Sequence, residues 1–246
     1  MKNKLFLFGL LSFATLTSCS SDSSDEFVDA NGIVAKKYIT NITVVPQASW
    51  ETTRNLTVTY NADGKVTKAT NGLEQSTFNY EGGALKSVKG DRNDILSVTD
   101  MLQSPYAAYE YGKVLEYDSH ANPIRVQIFK RDYDGSIYQE FVGEITYDEK
   151  PNPFFYTLEA AGIIDVLDDV NLNFSLVPQS EELIKAKMLL PVHNAKSVII
   201  KTLSGELKRT VTANYVYDGE GYPTTGNFID TTDRGTYTYT ATYTYR

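Results

Sequence analysis

The chain has 246 residues, with 31 acidic against 23 basic side chains and a net charge of −8 at pH 7. Such an acidic balance, without any cluster of Lys and Arg, argues against nucleic acid and against an anionic bilayer surface as partner, because phosphate binding needs concentrated positive charge. The single cysteine allows no disulfide within the chain, so stability must come from packing.

Lys2 and Lys4 open the sequence, an apolar run follows from Leu5 to Leu16, and Leu16-Thr17-Ser18-Cys19 contains the only cysteine. About a dozen apolar residues are too few to cross a bilayer as a helix, so the segment reads as a secretory signal. Its last four residues resemble the bacterial lipobox. That resemblance implies cleavage after residue 18, acylation of the Cys19 thiol and amine, and anchoring by palmitate-type chains, each buried methylene adding about 0.8 kcal/mol. Losing Lys2 and Lys4 would take the net charge from −8 to −10. Ser20-Ser21-Asp22-Ser23-Ser24-Asp25-Glu26 has nothing to bury, so residues 19–36 are expected to form a flexible tether. A polar tract at this place resembles the export tracts of Bacteroidota lipoproteins. It implies the outer membrane, with either the periplasmic or the cell-surface face open.

Residues 37–246 read as a single β-rich domain. Lys37–Val45 and Glu51–Tyr60 are rich in Ile, Val, Thr and Tyr. Leu56, Val58 and Tyr60 alternate with Asn55, Thr57 and Thr59, the period of a half-buried strand. Tyr60-Asn61-Ala62-Asp63-Gly64-Lys65-Val66 then supplies a reversal, since Asn, Asp and Gly tolerate positive φ. Similar segments begin at Tyr80, Tyr117, Tyr147 and Tyr217, each with an aromatic residue before an acidic or turn-forming stretch. Their uneven spacing excludes a strict solenoid. The expectation is an antiparallel sheet of successive hairpins.

Between Phe155 and Pro191 the period changes. Leu158, Ala161, Ile164, Val166 and Leu167 fall near helical spacing, and Ser180-Glu181-Glu182-Leu183 places a serine as N-cap before Ile184, Met188 and Leu189. The pattern predicts a small two-helix insertion around 158–190 that covers an end or edge of the sheet. Ala195–Leu203 and Glu206–Tyr217 read as a hairpin through Ser204-Gly205. From Tyr237 to Tyr245, aromatic residues and threonines alternate, as on a strand with one packed and one wet side.

The Tyr-Asp turns, Tyr147-Asp148-Glu149-Lys150-Pro151-Asn152-Pro153-Phe154 and the lipobox together resemble Bacteroidota outer-membrane lipoproteins with YD-type hairpin repeats. More distantly, they resemble the Tyr-Asp units of RHS proteins. The family's first turn is often Gly-Asn-Pro, whereas Ala121 here replaces the glycine before Asn122-Pro123. The resemblance implies a fold and an envelope location, and carries no catalytic residue across.

Chemistry-bearing residues are few. His120 and His193 read as exposed loop histidines; no Gly-x-Ser-x-Gly elbow occurs, and Cys19 is assigned to acylation. Asp165, Asp168, Asp169, Asn171 and Asn173 are grouped, with Asp169, Asn171 and Asn173 spaced like the first ligands of a calcium loop. Phe174 and Ser180 stand where that loop needs Gly and Glu, so a wet helix end is the preferred reading. Trp50, Tyr106, Tyr109 and Tyr111 are candidate ring contacts for a ligand, although tyrosine also suits a half-exposed sheet. Asp230-Thr231-Thr232 resembles an O-glycosylation site of exported Bacteroidota proteins. The sequence favours a noncatalytic binding or interaction module for a glycan or an envelope protein, with no cofactor. An envelope or glycan hydrolase using paired carboxylates and a structural envelope component are the alternatives.

Overall fold

The computed structural model describes residues 31–32, 34–90, 95–97, 112–134, 136–168, 171–173, 183–185 and 190–246. Cys19, Tyr106, Tyr109, Tyr111 and Asp169 lie outside them. The strands are β1 (Ile39–Pro46), β2 (Arg54–Tyr60), β3 (Val66–Thr70), β4 (Gln75–Glu81), β5 (Ala84–Gly90), β6 (Ile95–Ser97), β7 (Gly112–Tyr117), β8 (Pro123–Arg131) and β9 (Ile137–Pro151). Two helices follow, α1 (Pro153–Ala160) and α2 (Ile163–Asp168), then the short strands β10 (Asn171–Asn173) and β11 (Leu183–Lys185). The chain closes with β12 (His193–Thr202), β13 (Leu207–Tyr217), β14 (Pro223–Thr232) and β15 (Gly235–Tyr245).

Thirteen strands form one sheet in the order β6-β5-β4-β3-β2-β1-β15-β14-β13-β12-β9-β8-β7, and the sheet is not closed. The chain starts in the middle, meanders to one edge, resumes at the other and returns to the middle. The first strand therefore pairs antiparallel with the last, Ile42 opposite Tyr243 and Val44 opposite Ala241. The alternation read in β15 explains this central place. Ala241 and Tyr243 are buried with Ile39 and Ile42, while Thr240, Thr242 and Thr244 remain wet.

Every strand of the large sheet runs between the same two ends. At the proximal end lie the start of β1, the end of β15 and the β2–β3, β4–β5, β7–β8 and β13–β14 turns. Three of these turns share one construction. Asn61, Asp118 and Asp218 each receive a backbone N–H three residues on, and each donates its own N–H to a carbonyl four residues on, at 2.9–3.0 Å. Their side-chain oxygens also accept the N–H of Lys65, of His120 and Asn122, and of Glu220 and Tyr222, all at 2.9 Å. The residue two positions before the returning strand has positive φ: 83° at Gly64, 60° at Ala121 and 86° at Gly221. Ala121 thus departs from glycine at the strained position without changing the turn. Ala121→Gly is expected to raise stability by about 0.5–1 kcal/mol, because the left-handed penalty exceeds the added entropy of the unfolded chain; a lowered urea midpoint would refute this.

Four tyrosines near the proximal ends of their strands, Tyr60 and Tyr80 just before a reversal, have a partner the turns do not supply. Tyr60 donates its hydroxyl to Ile39 O at 2.5 Å, Tyr80 to Val66 O at 2.7 Å, Tyr147 to Pro123 O at 2.8 Å and Tyr245 to Pro223 O at 2.5 Å. In each case a residue near the end of one strand is tied to the carbonyl that opens the preceding antiparallel strand. Burial pushes the Tyr60 and Tyr80 hydroxyls up to about 12, so these bonds keep their protons across the physiological range.

Two expectations need correction. Tyr147–Phe154 is not a hairpin: β9 continues to Pro151, which still pairs with His193, and the chain then enters α1. Asn152 caps that helix by accepting Phe154 N at 3.0 Å, and Pro153 occupies its first turn, so Asn-Pro here is a helix start. The two helices of the insertion both come from residues 153–168. Leu183–Lys185, expected within a second helix, is a strand paired with Asn171–Asn173, Leu172 opposite Ile184. A run of that length is a marginal helix on its own, and pairing with a nearby segment outweighs its capping pattern.

The helices lie over the proximal part of the packed face. Phe155, Tyr156 and Ile164 cluster with Val192 and Tyr222; Ala161 packs with Val58 and Val66; Val166 packs with Leu85. Ile39 N donates to Thr157 Oγ1 at 3.0 Å, and Lys36 pairs with Glu159 at 3.0 Å. Gly162, at φ +71°, breaks the helical run and lets the backbone turn against Leu85.

Candidate functional site: two unlike ends of the sheet

The proximal end is stitched by polar groups. Asn122 is fully buried; its Oδ1 accepts Val192 N at 2.9 Å and His193 N at 3.3 Å, while Nδ2 contacts Asp118 Oδ2 and His193 Nδ1, both at 2.9 Å. An amide nitrogen only donates, so His193 accepts through Nδ1 and carries its proton on Nε2. The His120 ring stands edge-on to that of His193 at 4.9 Å. His120 is exposed as expected, but His193 is buried at the start of β12, which corrects its reading as an exposed loop residue after a helix. The arrangement uses all four hydrogen-bonding positions of Asn122 to hold the β7–β8 turn against β12.

Asp118 and Asp218 complete this end. Burial works to raise the Asp218 carboxyl, but the Lys37 ammonium at 2.6 Å and the Tyr222 and Glu220 amides outweigh it and hold it below the usual range. The same opposition, with Asn122 as the main partner, leaves Asp118 lowered. A carboxyl lowered by folding stabilises the protein above its unfolded value, roughly 4, and that contribution is lost as pH falls through the folded value. Acid titration followed by circular dichroism should therefore show stability falling below about pH 4, with a smaller fall in Asp218→Asn. An equal pH slope in the variant would contradict the assignment.

The distal end is built from the β1–β2, β3–β4, β8–β9, β12–β13 and β14–β15 hairpins. Trp50, in the β1–β2 loop, meets Tyr237 of β15 edge-on, with ring centroids 6.2 Å apart. Tyr239 donates to Glu51 Oε1 at 3.3 Å beside a cavity of about 30 Å³ lined by Val44, Pro46, Glu51, Thr52, Arg54 and Tyr239. Arg209 grips Asp230 with two bonds of 2.8 and 2.6 Å, which occupies the carboxylate next to Thr231-Thr232. Leu73, Tyr133 and Leu203 stand exposed at the tips of three further hairpins. By contrast, the proximal tips carry Ala62-Asp63, Gly82-Gly83, Ser119-His120 and Gly219-Glu220.

Among the sequence candidates, Trp50 is placed at this surface with Tyr237 as a ring partner, and Tyr106, Tyr109 and Tyr111 lie outside the described residues. Asn171 and Asn173 belong to the small β10–β11 pair, a sheet separate from the large one. Among the described residues no group of three His, Cys, Asp or Glu could hold a metal, and no helix is long and apolar enough to cross a membrane.

No family model matches the chain, and no curated protein matches it. Among solved structures, similarity is found to a porin-like protein from Bacteroides uniformis, at 14% identity over 85% of this chain and 98% of that one, with a TM-score of 0.41. A porin-like protein from Bacteroides vulgatus gives 13% identity, 86% and 99% coverage and a TM-score of 0.42. A LolA superfamily protein from Nitrosomonas europaea gives 12% identity, 90% and 91% coverage and a TM-score of 0.27. Likenesses this distant carry no activity or ligand across.

Proposed function

We propose that this chain is an exported, lipid-anchored module of the outer membrane that binds rather than catalyses. Its YD-type turns serve as scaffold and its distal end as the interaction surface. The carrying observation is the contrast between the two ends. At the proximal end, turn amides, the hydroxyls of Tyr60, Tyr80, Tyr147 and Tyr245 and the Asn122 amide are tied into the fold, whereas the distal end exposes Trp50, Leu73, Tyr133 and Leu203. Large apolar side chains recur at the tips of one end and are missing from the described tips of the other, which favours the first as the interaction surface. Cys19 acylation would hold that domain at the envelope, where the sequence points to a glycan or an envelope protein as the class of partner.

The anchor is tested by metabolic labelling of the full chain with palmitate, followed by membrane fractionation. Label should enter the wild-type protein, which should be found in the membrane fraction, and be absent from Cys19→Ala. A wild-type protein that takes up no label would overturn the anchor.

A further inference from the structure

We infer that the distal hairpin tips insert into the interface of a lipid bilayer, which gives the domain a second point of membrane contact. The inference deepens the reading of the distal end as an interaction surface, and it is independent of whether Cys19 is acylated.

The first support is the distribution of exposed apolar side chains. Crossing the distal end in sheet order, the tips carry Leu73, Trp50, Asp233-Arg234, Leu203 and Tyr133. Leu73 is 92% exposed, Trp50 71% and Leu203 62%, and Tyr133 is fully exposed. Tyr138 and Leu207, beside two of these tips, are also more than half exposed, against Val216 alone beside the described proximal turns. Among the described hairpins, four of the five distal tips thus present a large apolar residue, and none of the four proximal tips does.

The second support is spacing. Successive tips at one end are two strands apart, about 10 Å. Side chains so separated do not merge into one patch, and a protein partner would need a separate pocket for each. A bilayer interface accepts each independently, and tryptophan and tyrosine suit it because their rings are apolar and their N–H or O–H stays wet.

The third support is charge and reach. Within two residues of the described distal loops stand six acidic side chains, Asp132 and Asp134 on either side of Tyr133 among them, and the basic Arg54, Lys130, Lys201, Lys208 and Arg234, so the signs nearly balance and a zwitterionic surface fits better than an anionic one. The twelve residues from Cys19 to position 30 are long enough to reach about 40 Å at full extension, whereas the eleven residues of β13 or β15 span about 36 Å. A bilayer holding the Cys19 acyl chains therefore lies within reach of the distal rim.

Trp50 is the only tryptophan, so its fluorescence reports this surface directly. The experiment uses full-length Cys19→Ala, to remove the anchor, with phosphatidylcholine vesicles carrying bromine near the top of the acyl chains. Trp50 emission should shift to the blue and be quenched, and added phosphatidylglycerol should weaken the effect. Leu73→Ser and Leu203→Ser should each lower partitioning about tenfold, about 1.4 kcal/mol, with unchanged thermal midpoints because both side chains are exposed. Unchanged emission at millimolar lipid, or equal partitioning of the variants, would overturn the inference. A blue shift that follows protein concentration without lipid would also overturn it, in favour of self-association. Failed palmitate labelling with intact vesicle quenching would remove the anchor and leave the rim standing.

Discussion

Asn122→Ala should lower stability by about 3–4 kcal/mol, among the largest effects of any single polar substitution in this fold. The substitution removes the acceptor for Val192 N and His193 N and the donor facing His193 Nδ1, all in buried surroundings. Each buried group left without a partner costs about 1–3 kcal/mol, so the loss exceeds that of an ordinary surface hydrogen bond. Urea unfolding should show a lower midpoint with an unchanged slope. Ser119→Ala, in the same turn but exposed, should change little. A loss below about 1 kcal/mol for Asn122→Ala would mean that the network does not hold the β7–β8 turn to β12.

Gly162→Ala should cost about 2–4 kcal/mol, combining a left-handed backbone with overpacking. An added Cβ would stand 2.9 Å from Leu85 Cβ and 3.6 Å from Leu85 N, atoms fixed by β5 rather than the far end of a flexible side chain. Gly64→Ala separates the two causes. That glycine has φ +83° but nothing within 4 Å of a new Cβ, so only the backbone part, about 1–2 kcal/mol, should appear. Equal losses in the two variants would show that α1 and α2 are not pressed against β5 at this point.

What the sequence made legible was local. Asn61, Asp118 and Asp218 cap turns through their own side chains, with the positive φ three residues on, so residues within five positions of one another specify the hairpin. The alternation of β15 likewise stated which side of that strand is packed. The helix insertion was legible as a change of period, but Asn152-Pro153 was read as a turn although Asn as N-cap with Pro in the first turn also starts a helix. Leu183–Lys185 was misread because its partner strand, Asn171–Asn173, is decided by pairing and not by the run itself.

Contacts distant in sequence stayed hidden. Nothing in Tyr60 or Tyr245 announces a carbonyl on the neighbouring strand as partner; for Tyr60, its place just before a reversal was the available signal. Trp50 stood out as a lone tryptophan, yet its meeting with Tyr237 follows only from β1 lying beside β15. His193 was taken as exposed because its burial depends on Asn122, from the far side of the helical insertion. The asymmetry of the two ends emerges only when the hairpins are placed in register.

Both the scaffold and the rim depend on β1 and β15 being neighbours at the centre of one sheet. Thr43 and Thr242 face each other there on the wet side, and cross-strand Cβ atoms are about 5 Å apart. Full-length Cys19→Ala carrying Thr43→Cys and Thr242→Cys should be cross-linked within one chain by a short bis-maleimide reagent while remaining folded, and mass spectrometry should join peptides from the two strands. Failure to link that pair, together with linking of Thr43→Cys to a cysteine placed at Thr212, on the wet side of β13 two strands beyond β15, would contradict the account.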